Sequence, residues 1–193
     1  MQIEVFTNLS DVGPGSIRRL RREEYAKLVE LGSFRDEHVE LIRGVIVRMA
    51  PQGPPHASPI ERLNELLVEG LRRRARVRVQ SPLNGPDDSV PEPDLAIVPR
   101  EDHGQAHPSS ALLVIEVSNT SRAYDRETKA PLYAEMGVPE LWLVDVPRQC
   151  VEVRTDPDQG IFRRVETFGM DDTLTLRAFP DIRIPVRAIF TEI

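Results

Sequence analysis

Three residues far apart in the chain have the types and settings of a hydrolytic site. Asp94 enters an apolar run in Pro93-Asp94-Leu-Ala-Ile-Val, and Glu116 interrupts another in Leu-Leu-Val-Ile-Glu116-Val-Ser. Lys129 follows in Asp125-Arg-Glu-Thr-Lys129; with Lys27 it is one of only two lysines among 25 basic Lys and Arg residues. Arginine stays charged and forks broadly, whereas lysine is a compact ammonium whose pKa responds to its surroundings. Two carboxylates and such an amine suit the binding of a hard divalent cation and the activation of water beside it.

The elements that must bring them together are legible from periodicity. Leu95-Ala-Ile-Val, Ala111-Leu-Leu-Val-Ile and Leu141-Trp-Leu-Val are continuous apolar runs, as expected of strands covered on both faces. If the first two pair antiparallel through the loop 99–110, position 98 faces 112 and position 94 faces 116. Directly opposed side chains have Cβ atoms about 4.5–5.5 Å apart, and like charges there repel, so the pair calls for a cation. Taken singly, Asp94 also reads as a turn residue and Glu116 as a surface charge at a strand end. The trio with Lys129 favours a site. A helix is expected over about 126–136, closed by Gly137. Proline is tolerated only in a helix's first turn, so Pro131 places the start near Thr128 to Pro131 and Lys129 at the entrance. A start at Asp125, with a distortion, is the other possibility, and Asp125 itself reads as a cap.

Elsewhere, residues 16–31 read as a helix with Ser16 as N-cap and Gly32 as stop. Val39-Glu40-Leu-Ile and Val45-Ile-Val-Arg-Met form a hairpin about Arg43-Gly44. Pro51 to Pro55 is a loop. Ile60, Leu63, Leu67 and Leu71 mark an amphipathic helix from His56 to about Arg74. Val77-Arg-Val-Gln80 is a strand, and 83–93 a loop. The tail from Val151 through Leu174-Thr-Leu reads as a β-meander, with a turn at Asp156-Pro-Asp-Gln-Gly160. The expected fold is α/β: a mixed sheet flanked by helices, with a C-terminal meander, in one domain over 1–193.

The chain's 193 residues, 40% hydrophobic and 29% charged, fit a globular domain rather than a disordered one. No apolar run reaches the roughly 18 residues that span a bilayer, and the start lacks a secretion signal; a cytoplasmic location without membrane association is expected. Cys150 is the only cysteine, which excludes an intrachain disulfide and a cysteine zinc cage. The net charge of −6 argues against nonspecific coating of nucleic acid. It is uneven: residues 1–78 carry 14 basic and 11 acidic side chains (+3), the remainder 11 and 20 (−9). Arg18, Arg19, Arg21, Arg22 and the run from Arg72 to Arg78 could face phosphates, or simply be solvated at helix ends. Phosphate-loop, nucleophile-elbow and dinucleotide motifs are absent, so no organic cofactor is expected. His103 and His107 lack metal spacing and read as loop residues, while Trp142 and Tyr133 read as core or dimer packing rather than base stacking.

Pro93-Asp94, Glu116-Val117-Ser118 and Lys129 resemble the PD-(D/E)XK nuclease superfamily. More closely, the chain resembles a small bacterial family of restriction-endonuclease-like proteins over about residues 20–190. The resemblance runs through Val39-Glu40-Leu-Ile-Arg-Gly44, Met49-Ala-Pro51…His56, Glu92-Pro-Asp94, Asp125-Arg-Glu-Thr-Lys129 and Tyr133-Ala-Glu-Met-Gly137-Val-Pro-Glu140-Leu-Trp142-Leu-Val-Asp145. It departs in two places. Ser118 stands where the superfamily lysine usually lies, the lysine having moved to the following helix, and Arg43 stands where an acidic residue is common. The resemblance implies a restriction-endonuclease-like fold and a metal-dependent endonuclease that hydrolyses DNA phosphodiesters as a homodimer. Asp94, Glu116 and the Val117 carbonyl would hold Mg²⁺ or Mn²⁺, with Glu40 as an extra carboxylate or merely a charged hairpin residue. Lys129 would orient or help deprotonate the attacking water. His56 and Gln80 are auxiliary candidates, His56 being explained nearly as well as a helix-initiating residue. The alternative is a catalytically inactive protein of this fold that binds nucleic acid or a protein partner.

Overall fold

The computed structural model describes residues 17–49, 53–101, 104 and 106–191. At its centre is a six-stranded mixed sheet in the order β3 (Arg76–Val79), β4 (Leu95–Val98), β5 (Leu113–Ser118), β6 (Glu140–Asp145), β7 (Cys150–Asp158), β8 (Ile161–Phe168). Only β5 and β6 run parallel. Parallel neighbours need a crossover, and α3 (Arg122–Tyr124), a π-helical turn at Asp125–Lys129 and α4 (Ala130–Glu135) supply it.

The three apolar runs are the three central strands, each buried along its length. Alternation sorts their side chains. Leu95, Ile97, Leu113, Ile115, Val117, Trp142 and Val144 face α2 (Pro54–Leu71), meeting Ile60, Leu63, Leu67 and Leu71. Ala96, Val98, Val114, Leu141 and Leu143 face the crossover, meeting Ala130, Tyr133 and Ala134. By the same alternation Glu116 shares the face of Val114 and points towards the crossover. The Trp142 ring is wholly buried because its indole N–H has a partner, Glu140 Oε1 at 2.8 Å.

The β4–β5 register pairs Leu95 with Ile115, Ala96 with Val114 and Ile97 with Leu113. One step further along this register stand Asp94 and Glu116, the opposition expected if the two strands pair antiparallel.

Some boundaries differ from expectation. Ser16 and residues 50–52 lie outside the described residues. The first helix, α1 (Arg22–Glu30), starts later than expected, because Leu20 N–H is committed to Gly44 O and Arg22 N–H to Asp87 O, which ties this stretch to loops. The second starts earlier, since Pro54 and Pro55 occupy its first turn, where no intrahelical N–H is needed. It stops at Leu71, with Arg72 in the left-handed region (φ 45°). The C-terminal strands are antiparallel but are not one meander. β7 and β8 extend the central sheet through a two-residue turn at Gln159-Gly160, both at positive φ, whereas β9 (Thr173–Leu176) and β10 (Phe179–Pro185) form a separate hairpin. The second hairpin covers α2 with Leu174, Leu176, Ile182 and Ile184. A short α5 (Arg187–Phe190) closes the chain's described part.

The N-terminal hairpin, β1 (Val39–Ile42) and β2 (Val45–Arg48), stands outside the main sheet. Its two-residue turn, Arg43-Gly44, has positive φ at both positions (52° and 75°), and Arg43 forks onto Glu135 of α4 with two 2.6 Å bonds. A methyl at Gly44 would overlap the Cβ of Arg19, besides the left-handed penalty. Gly44→Ala should therefore cost at least about 1–2 kcal/mol in urea unfolding; an unchanged midpoint would show that the turn is not so constrained.

Candidate active site

The crossover segment owes its shape to Pro131. Proline has no N–H, so the ladder cannot pass it unbroken. Here the helical segment does not start at Thr128: it begins at Arg122 and widens, with Ala130 N–H reaching back five residues to Asp125 O. Such π-turns shift the register by one residue and recur at functional sites. Asp125, Lys129 and Tyr133, four residues apart in succession, all turn inward and are buried. Two ion pairs hold the segment on the sheet, Arg122 to Asp145 at 3.0 Å and Arg126 to Glu152.

Lys129 Nζ lies 3.1 Å from Glu116 Oε1, 3.2 Å from Glu40 Oε2 and 3.4 Å from the Glu92 carbonyl. Tyr133 donates its hydroxyl to the same Glu116 oxygen at 2.6 Å. Both hydrogen bonds of Glu116 thus end on Oε1, which leaves Oε2 for a cation. Glu40 is fixed from the other side by the Glu92 N–H at 3.0 Å and the Tyr124 hydroxyl at 3.3 Å. Asp94 Oδ2 accepts the Val117 N–H at 2.8 Å and lies 3.2 Å from His56 Nε2, in the first turn of α2. Asp125 accepts from the hydroxyls of Ser118 (2.5 Å) and Ser121 (2.8 Å). It sits inside the helical segment and does not cap it.

Burial dominates the electrostatics. Desolvation, opposed by the Lys129 charge and reinforced by Asp94, pushes the Glu116 carboxyl up to about 8. Burial alone would lower Lys129, but Glu116, Glu40 and Asp125 outweigh it and lift the ammonium above its ordinary value. This favours the ammonium form of Lys129, which donates to both carboxylates. Tyr133 and Tyr124 are raised chiefly by burial and stay protonated to donate. The hydrogen bond to Asp94 raises His56, favouring imidazolium.

These groups meet at one cleft of about 370 Å³, lined by Glu40, Asp94, Glu116, Val117 and Lys129, with His56, Tyr124, Asp125 and Arg48 around them. Glu40, Asp94, Glu116 and Asp125 would together carry four negative charges when ionised. Lys129 and a protonated His56 offset two. A divalent cation matches the remainder, and the all-oxygen donor set is the type Mg²⁺ and Mn²⁺ take. The fit rests on the two opposed carboxylates, with Val117 beside them in the lining. Among the described residues no three His, Cys, Asp or Glu side chains form a ready-made cage.

Asp94, Glu116, Glu40, Lys129 and His56 are thus brought together. The other expected residues are placed differently. Gln80 is not among the lining residues; in the left-handed region (φ 44°), it donates its N–H to the Asp94 carbonyl at 3.0 Å. His107 is exposed, and His103 is outside the described residues. Tyr133 and Tyr124 were not singled out as site residues from sequence. The spacing of Tyr133 four residues after Lys129 was the available signal.

A sequence profile of the family described as "Putative restriction endonuclease" (Uma2) matches residues 22–187. The chain belongs to that family. A crystal structure of a protein described as a putative nuclease belonging to DUF820, from Anabaena variabilis ATCC 29413, matches with a TM-score of 0.72 at 21% identity, covering 89% of this chain and 97% of that one. At that identity the likeness is one of fold: this Uma2 chain shares that protein's architecture. No curated protein matches the chain.

Lys129→Met would leave Glu40 and Glu116 buried without their cation, costing about 3–5 kcal/mol at neutral pH in chelator. A carboxyl whose folded pKa exceeds its unfolded value takes up a proton on folding, so its contribution to stability falls as pH rises between the two. For Glu116 that window runs upward from the ordinary 4.5 to about 8. That loss is common to both proteins. Because Lys129 holds the Glu116 pKa down, its removal carries the folded value higher, so the deficit of the variant against wild type should be level up to about pH 8 and grow above it in denaturant melts. A deficit independent of pH would contradict the pairing.

Proposed function

We propose that the chain is a metal-dependent endonuclease that hydrolyses DNA phosphodiester bonds. The observation that carries this reading is the convergence of Asp94, Glu116 and Lys129 on one cleft, in a member of a restriction-endonuclease family. Asp94 and Glu116, with the Val117 carbonyl, would hold Mg²⁺ or Mn²⁺, and Glu40 would add a carboxylate. When bound, the ion polarises the scissile phosphate and lowers the pKa of water.

The chain's own groups do the rest. Lys129, fixed by two carboxylates, presents a charged N–H donor to the attacking water or to a phosphoryl oxygen as negative charge grows there. Its raised pKa favours orientation and charge stabilisation over proton abstraction. Tyr133 holds Glu116 in one rotamer, and the Val117 N–H and His56 hold Asp94. We further propose a cytoplasmic homodimer, whose paired sites would cut both strands; its mass in sedimentation would be twice 21.8 kDa.

The alternative, a non-cutting protein of this fold that binds nucleic acid or a protein partner, is separated by one assay. Supercoiled plasmid incubated with the protein and Mg²⁺ or Mn²⁺ should be nicked, and chelator should abolish nicking. Asp94→Ala and Lys129→Ala should each lower the rate by roughly 100-fold or more, the range of a lost preorganised electrostatic contact. Binding to DNA without nicking under any metal would favour the alternative, and nicking unaffected by both substitutions would overturn the site.

A further inference from the structure

The floor of the cleft is acidic, yet the substrate of the proposed reaction is an anion. The metal and Lys129 serve the scissile phosphate; another donor must hold the chain beside it. A helix N-terminus is the usual source, and α2 does open onto the cleft at Gly53 and His56. It cannot do the work. Pro54 and Pro55 have no N–H, and the His56 and Ala57 N–H groups are spent on the Gly53 carbonyl at 3.0 and 3.2 Å. Main-chain donors are nearly absent at this end of the cleft, so a grip there must come from a side chain.

Arg48 is the one guanidinium among the lining residues. The residue is exposed, and its guanidinium makes no hydrogen bond or ion pair with another described residue. Its place comes from the N-terminal hairpin: Arg48 ends β2, pairing with Val39 beside the Glu40–Val47 pair, and so stands at the rim of the cleft. A planar fork of donors suits a phosphate with two free oxygens.

Resting on the nuclease reading, we propose that Arg48 binds a backbone phosphate neighbouring the scissile one, which makes the cleft a site for polynucleotide rather than for isolated small phosphodiesters. Arg48 is a positioning residue, separate from the reacting atoms.

The test combines binding and cleavage. A fluorescent duplex oligonucleotide is titrated in Ca²⁺ across a salt series with wild type, Arg48→Ala and Arg48→Lys, and plasmid nicking is followed in Mg²⁺. Arg48→Ala should weaken binding roughly tenfold and reduce the slope of log affinity against log salt by about 0.9, the loss of one phosphate contact. Arg48→Lys should keep the slope, because the charge survives, and recover part of the affinity. In nicking, the loss should fall on KM more than on kcat, which a purely structural defect would not produce. If Arg48→Ala matches wild type in affinity and slope, or wild type binds no DNA, the proposal is overturned. If wild type binds with the Arg48-dependent slope but never nicks, Arg48 stands and the hydrolytic reading fails; nicking indifferent to Arg48 gives the reverse.

Discussion

A single buried ammonium makes the rest of this arrangement tolerable. Taking charges out of water costs several kcal/mol per ion, and the mutual attraction repays it only with good geometry and further hydrogen bonds. Lys129, 4% exposed, stands between Glu40 and Glu116, which are 2% and 3% exposed. Each carboxylate has a second donor, Tyr124 or the Glu92 amide for Glu40 and Tyr133 for Glu116. Remove the ammonium and two carboxylates face each other in a dry setting. The hairpin, the central sheet and the crossover are each held where they are by their share of this contact.

The demand propagates outward. Lys129 reaches both carboxylates only because the π-turn aligns Asp125, Lys129 and Tyr133 on one inward line. That turn stays on the sheet because Arg122 and Arg126 bind Asp145 and Glu152 at the ends of β6 and β7. Glu40 is delivered by a hairpin clamped by Arg43 to Glu135 and by Tyr25, whose hydroxyl bonds the Val39 carbonyl at 3.0 Å. Local irregularities, a π-turn and two residues of positive φ, therefore lie where the site needs side chains aimed.

The core of the fold was legible because burial on both faces leaves unbroken apolar runs. The register was an assumption, antiparallel pairing through the loop 99–110, and the pairing of Leu95 with Ile115 agrees with it. Lys129 was legible as a rare residue type in an arginine-rich chain. The tyrosines were not, since a buried Tyr reads as core until a carboxylate is known to lie beside it. The π-turn was half visible: Pro131 demanded some adjustment, but whether the helix starts late or widens depends on the contacts of Arg122 and Arg126 with a distant hairpin. The tail escaped for a similar reason. Alternation predicts strands, whereas which edge they join depends on packing against α2.

Four acidic side chains line the floor of the cleft with Lys129 and His56 as their cationic partners, and the central claim is that a divalent ion supplies the positive charge they still lack. Calorimetric titration of Mn²⁺ into the metal-free protein, beside the Asp94→Asn, Glu116→Gln double variant, tests it most directly. Saturable uptake by the wild type that disappears in the double variant is the predicted result; equal uptake by both, or none by either, would contradict it.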